Sequence, residues 1–245
     1  MLNRISINNK LFLAFLLLTI IAMTAASVIS FRHSRDSLAK AAFDRLTSVR
    51  EMKAFQIEDY LDFITKQVRT FSADHMVVDT TRELRAAFRK LQSESALNPD
   101  KIREIDIVQN NYYAREFLLR LAPNLTRPPL AGHYQPRQLN ARLLQFLYIS
   151  SNPYSTGSKD FLNDAGDGST YSRIHREMHP VFRDYLLEFG YYDIFLIEPE
   201  RGEIIYTVFK EVDLGTSLLD GRYADTGLAR VFRAARDAES PDIVA

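Results

Sequence analysis

The sequence predicts an α+β protein: an apolar N-terminal helix, a long helix continuing from it, a helical segment, and then an antiparallel sheet with flanking helices. Three observations carry that prediction. Residues 11–31, LFLAFLLLTIIAMTAASVISF, hold 21 consecutive residues without a charge. Residues 36–71 contain neither proline nor glycine and are dominated by helix formers. Residues 190–211, GYYDIFLIEPERGEIIYTVFKE, set two β-prone runs around a Pro/Gly turn.

Taken in order, residues 1–10 form a short cytoplasmic N-terminus and residues 11–31 a transmembrane helix. At a rise of about 1.5 Å per residue this run spans the roughly 30 Å hydrocarbon core. The small residues of TAAS (24–27) offer a rival reading as a cleavable signal peptide. The apolar core of a signal peptide runs only about 7–15 residues, so an uncleaved anchor is expected. Arg4 and Lys10 favour a cytoplasmic N-terminus, with the body of the chain on the far side of the membrane.

Residues 32–75 read as a stalk-like helix in which Ile57, Leu61, Ile64, Val68 and Phe71 step by 4, 3, 4, 3. That is the seam of a packed helix, and the sequence leaves open whether it faces a second copy or its own domain. Residues 76–150 form a helical part, with helices at 79–97, 100–122 and 137–149, punctuated by NPD (98–100) and the proline-rich NLTRPPLAGHYQP (124–136). Within 151–245, a polar, turn-rich stretch (150–170) precedes a helix with Pro180 in its first turn, ending near Phe189. Strands at 191–197 and 203–209, with Gly202 in the turn, lead to a short turn at 214–219 and a helix over about 226–238. The closing DIVA resembles the start of a further strand. A hairpin alone buries its faces poorly, so the chain is expected to be a fragment of its domain.

Composition narrows the function. The 245 residues are 46% hydrophobic and 25% charged, enough for one substantial domain or two small ones. Beyond residue 31 there are 29 bases against 31 acids, which leaves no basic surplus for a phosphate backbone and argues against nucleic acid as a partner. The absence of cysteine removes disulfides, thiol catalysis and Cys-type zinc sites, and is compatible with export.

The motifs that touch on catalysis fall short. HREMH (175–179) spaces two histidines by four, but Arg176 stands where a zinc hydrolase needs glutamate. Pro180 also biases His179 away from helical geometry. NDAGDGSTYS (163–172) puts Ala165 and Ile174 where a calcium loop needs oxygen ligands. GDGSTY (166–171) lacks the third glycine of a dinucleotide loop and no strand precedes it. No enzymatic chemistry and no cofactor is expected within these residues.

The hairpin is more informative. Alternation puts Ile204, Tyr206, Val208 and Lys210 on one face of the second strand, with Ile205, Thr207 and Phe209 on the other. Both faces are largely apolar, which predicts a central position in a covered sheet. Asp193, Tyr206 and Lys210 are then polar groups in a rigid, partly buried setting that a small ligand could use. The structural alternative has Asp193 capping a turn and Lys210 pairing with a carboxylate at the sheet edge.

The run HPVFRDYLLEFGYYDIFLIEPERGEIIYTVFKEVDLGTSLLDGRYADTGLARVF (179–232) resembles the extracytoplasmic, Cache-like and PAS-related sensor region of bacterial methyl-accepting chemotaxis receptors, which also occurs on membrane-bound adenylate/guanylate cyclases and histidine kinases. NNYYAREFLLRL (110–121), YISSNPYSTGSKDFLNDAGDGSTYS (148–172) and NNKLFLAF (8–15) extend the likeness. The resemblance implies a periplasmic ligand sensor at the bacterial inner membrane, with strands wrapping a pocket, and a return through a second membrane helix to a HAMP linker and output module. Partners implied are an unknown small molecule or periplasmic binding protein, the membrane, and a second copy of the chain. The amino-acid signature of some double-Cache sensors uses a tryptophan, and this chain has none, so an amino-acid ligand is not carried over. The pocket-lining groups expected on this reading are Arg183, Tyr192, Asp193, Tyr206 and Lys210. The alternatives are a sensor driving a cyclase or kinase, and a freestanding anchored binding protein.

Overall fold

The computed structural model describes residues 6–238; Arg4 and the DIVA segment of the sequence analysis lie outside them. The chain is 69% helical with one small antiparallel sheet. It divides into two compact units, residues 1–65 and residues 66–245.

Helix α1, Ile7–Ala73, is unbroken and contains the whole apolar run. Its apolar run is long enough to cross a membrane. Along the 4,3,4,3 seam Ile57 and Leu61 are more than half exposed, whereas Phe71 packs against the core of the second unit. Gln67, which accepts from the Tyr191 hydroxyl at 2.9 Å, extends that contact back to the second-last turn of the helix.

The second unit opens with two helices. Helix α2, His75–Glu94, starts at Asp74, whose carboxylate accepts from Met76 N. It starts four residues earlier than predicted because Asp74 supplies the cap. Val77, Leu84, Ala87, Phe88 and Leu91 form its buried stripe. Helix α3, Pro99–Tyr112, is capped by Asn98 and has proline in its first turn. It continues through a π-helical turn, Tyr113–Phe117, into the short α4, Leu118–Leu121. The predicted helix at 137–149 is α5, Leu139–Gln145, followed by a second π turn, Phe146–Ser150.

Helix α6, Thr170–Phe189, corrects the sequence reading. It starts ten residues before Pro180, at Thr170, capped by Ser169, whose hydroxyl accepts from Ser172 N, and it keeps Pro180 inside. The proline is tolerated because it and Arg176, whose carbonyl loses its partner, are both exposed. Gly190 ends the helix at φ 69°, the left-handed conformation that glycine adopts without strain.

The predicted strands shrink to β1, Phe195–Ile197, and β2, Ile204–Thr207, with Gly202 in the turn at φ 66°. Side chains take the donors that a longer ladder would use. Asp193 Oδ1 accepts from Val208 N at 2.9 Å, and Thr207 Oγ1 accepts from Lys210 N at 2.8 Å. A bulge also resets the alternation: Leu196 faces Tyr206 while Ile197 faces Ile204, leaving Ile205 extra. Ile204 consequently packs with Leu218, Ala229 and Phe232, while Ile205 and Tyr206 join the main core. The far edge of β2 is covered by residues 215–218, through Gly215 N to Ile204 O, Ile204 N to Thr216 O and Leu218 N to Gly202 O. β2 is thus central and buried along its length, though the sheet has only two strands among the described residues.

The hairpin loop is pinned to α2. Glu198 is buried, with Arg85 Nε at 3.3 Å and Arg89 at 3.7 Å, and Arg89 also pairs with Glu200 at 3.0 Å. Helix α7, Gly227–Arg236, is capped by Thr226 and buries Ala229 and Phe232 against Ile204.

Candidate functional site

Two places in the second unit concentrate polar groups. The first is a buried centre between α6 and β2. Positions 175 and 179 lie one turn apart on α6, and their rings stack at 4.5 Å. β2 supplies Tyr206 from the opposite side, and Lys210 follows it at φ 57°, the one non-glycine residue with positive φ among those described.

The hydrogen bonds fix the state of His179. Its Nε2 lies 2.7 Å from the carbonyl of Asp160, which can only accept, so Nε2 carries the proton. Nδ1 then accepts from the Tyr206 hydroxyl at 2.7 Å. Lys210 Nζ is 3.0 Å from the same Nε2 and 3.1 Å from the Val208 carbonyl. An ammonium has no lone pair to meet an N–H, whereas a neutral amine does. Burial first, then repulsion from Lys210, hold His179 down to about 3, and burial brings the lysine down to about 7. His175 donates from Nδ1 to the Asn163 carbonyl at 2.7 Å, and burial holds its pKa well below that of a free imidazole.

Around this pair, the Tyr171 hydroxyl donates to the Ile205 carbonyl at 2.7 Å and the Tyr148 hydroxyl bonds Ser172 at 2.9 Å. Arg183 Nε donates to the buried Asp160 carboxylate at 2.8 Å, with its guanidinium 4.5 Å from the Phe161 ring centre.

Of the five residues predicted from the sequence, Tyr206 and Lys210 meet directly at His179, and Arg183 joins them through Asp160. Asp193 sits apart, accepting from the backbone of Ile194 at 2.7 Å and of Val208, and burial raises its carboxyl to about 6. Tyr192 is 82% exposed and joins neither place. Lys210 does not pair with a carboxylate at the sheet edge either; its partners are an imidazole and a carbonyl.

A lysine with a pKa near 7 is an amine that could attack a carbonyl, but Lys210 is 1% exposed and no described cleft reaches it. The centre links α6 to β2 and presents nothing to a substrate.

The second place is a cleft of about 400 Å³ between the loop around residues 132–138 and the turn around 215–223. None of the five predicted residues lines it. Gly215 forms part of its wall at φ 80°, where a Cβ would come within 3.0 Å of Ala141 Cα, so the close approach of loop to helix needs glycine. Glu203 lines the cleft at 3% exposure, and its Oε1 has no hydrogen-bond partner. A buried acceptor left unpaired costs about 1–3 kcal/mol. Burial raises the pKa of this carboxyl, with Arg201 and a hydrogen bond from Gln138 opposing the rise. Arg222 is already engaged, its guanidinium 4.8 Å from the Tyr134 ring centre and donating to the Tyr134 hydroxyl at 3.0 Å. Arg137, on the rim, makes no ion pair among the described residues.

The histidine pair was visible in HREMH and was discounted through Pro180. The cleft gave a weaker signal, since GHYQPRQ (132–138) reads only as a loop and Glu203 only as a strand residue. No group of three or more His, Asp and Glu side chains among the described residues could hold a metal ion. No family model matches the chain, and neither a curated protein nor a solved structure matches it.

Proposed function

We propose that the chain is the extracytoplasmic, ligand-sensing part of a bacterial transmembrane signal transducer, with a methyl-accepting chemotaxis receptor as the form its sequence resembles. One observation carries the reading. The helix that contains the apolar run also contains Phe71, and Phe71 stacks on Tyr185 at 4.1 Å and meets Phe182 edge-on at 5.3 Å. Both partners belong to α6, which packs along α2 and also carries the buried His179–Lys210–Tyr206 centre and, through Asp160, a contact to the loop before it. A rearrangement of the hairpin thus has a continuous packed route to the anchoring helix. A ligand shifts such an equilibrium only by its differential affinity for two states, commonly about 1–3 kcal/mol of coupling. The exposed seam at Ile57 and Leu61 supports pairing with a second copy along α1.

The test uses the full chain in lipid nanodiscs with one introduced cysteine, Val68→Cys, carrying an environment-sensitive fluorophore. The native chain has no cysteine, so the label is unique. Pools of small metabolites are screened for a rise in melting temperature and a change in label emission. A sensor gives at least one pool that does both. Pools that raise the melting temperature while leaving the label silent indicate an anchored binding protein without transmission, and the reading falls.

A further inference from the structure

The cleft walled by Gly215 holds two groups that its own chain leaves unfilled. Glu203 Oε1 is buried without a partner, and the Arg137 guanidinium has no carboxylate opposite it among the described residues. The other guanidiniums nearby are spent: Arg222 lies over Tyr134, and Arg142 is ion-paired with Asp106. A second cleft of about 390 Å³ adjoins the first at Gly132, Gln135, Pro136 and Arg137, which puts Arg137 at the junction of both. A volume near 400 Å³ falls in the range of small-molecule sites, about 300–1,000 Å³.

Resting on the sensing reading above, we infer that this cleft is the ligand site and takes a small hydroxycarboxylate, its hydroxyl donating to Glu203 and its carboxylate held by Arg137. The donor count selects the hydroxyl. An ammonium brings three donors and the cleft offers one buried acceptor without a partner, Glu203 Oε1; the Asp220 carboxylate on the rim is solvated. A hydroxyl brings one. The carboxylate end follows from the guanidinium, whose planar fork donates to two oxygens at once. Tyr206 and Lys210 then act behind the site: β2 carries Tyr206 three residues from Glu203, so a ligand on Glu203 bears on the strand that holds the buried centre.

Isothermal titration of the full chain in nanodiscs with glycolate, lactate, gluconate and glucuronate tests this, with acetate, glucose and L-alanine as controls. At least one hydroxycarboxylate is expected to bind at least tenfold more tightly than acetate, which lacks the hydroxyl, and than glucose, which lacks the carboxylate. Arg137→Gln changes an exposed side chain, leaves the melting temperature of the unliganded protein unchanged, and weakens binding at least tenfold; Glu203→Gln weakens it similarly. No binding by any of the four acids, or binding indifferent to Arg137→Gln, overturns the inference. Preference for L-alanine with the same dependence on Arg137 overturns the hydroxyl assignment and leaves the sensing reading standing. That reading falls separately, if no ligand moves the Val68 label.

Discussion

Stability rises with pH between about 7 and 9.5, and Lys210→Met removes most of the rise. The amine is lowered from 10.5 to about 7, with burial as the largest cause. The unfolded chain keeps this proton up to the ordinary lysine value and the native chain releases it near 7, so over that window the unfolded state binds more protons and stability increases. At about 1.4 kcal/mol per pH unit the gain by pH 9.5 is on the order of 3 kcal/mol. Lys159, buried beside Tyr112 and also lowered by burial, adds in the same direction, so the methionine variant retains a smaller slope. The rise ends near pH 10. There the unfolded chain loses tyrosine protons that Tyr148, Tyr171 and Tyr206, all raised by burial, retain. On the acid side two pairs oppose each other. The raised carboxyls of Asp193, about 6, and Asp213, about 7, lose stabilisation as pH rises, while the depressed His175 and His179 gain it. Urea unfolding at pH 7, 8 and 9, read by circular dichroism, separates the cases: equal slopes in native and Lys210→Met protein would show that Lys210 is charged in the fold.

Phe182→Ala is expected to cost about 3–5 kcal/mol, the largest single loss from the core. The ring is fully buried, edge-on to Phe71 at 5.3 Å and to Tyr206 at 5.4 Å. Its removal leaves a cavity bounded by α1 on one side and β2 on the other. For a domain of this size that lowers the melting temperature by roughly 2–4 °C per kcal/mol. Val181→Ala, one residue away and half exposed, is the control and stays within about 0.5 kcal/mol. Comparable losses in the two variants would contradict the placement of Phe182 at the centre of the contact.

The long N-terminal helix and the hairpin turn were legible because each rests on a local rule. Absence of Pro and Gly over 36–71 is enough for a helix, and Gly202 supplies the positive φ that its turn uses. The extent of the strands was not legible. It depends on Asp193 reaching across the hairpin to Val208, a contact fifteen residues away in sequence. Pro180 misled for a related reason: a proline in mid-helix is costly only where the freed carbonyl is buried, and the exposure of Arg176 is a tertiary fact. The face assignment of β2 failed at one extra residue, Ile205, because a bulge changes which side chains share a side. Of the buried centre, the sequence reading named Tyr206 and Lys210 through their polarity among apolar neighbours, and Arg183 only on the resemblance. It missed His179, which joins them, and it missed Glu203 and Arg137, which only the fold brings to one cleft.

A sensor of the kind proposed holds the domain beyond α1 outside the cytoplasm. Ser93 is exposed near the end of α2, and Ser93→Cys supplies the only thiol in the chain. Spheroplasts of bacteria expressing this variant are treated with a membrane-impermeant maleimide before and after lysis. Labelling of intact spheroplasts to the same extent as lysed ones is the predicted result. Labelling only after lysis would place the domain in the cytoplasm and contradict the account.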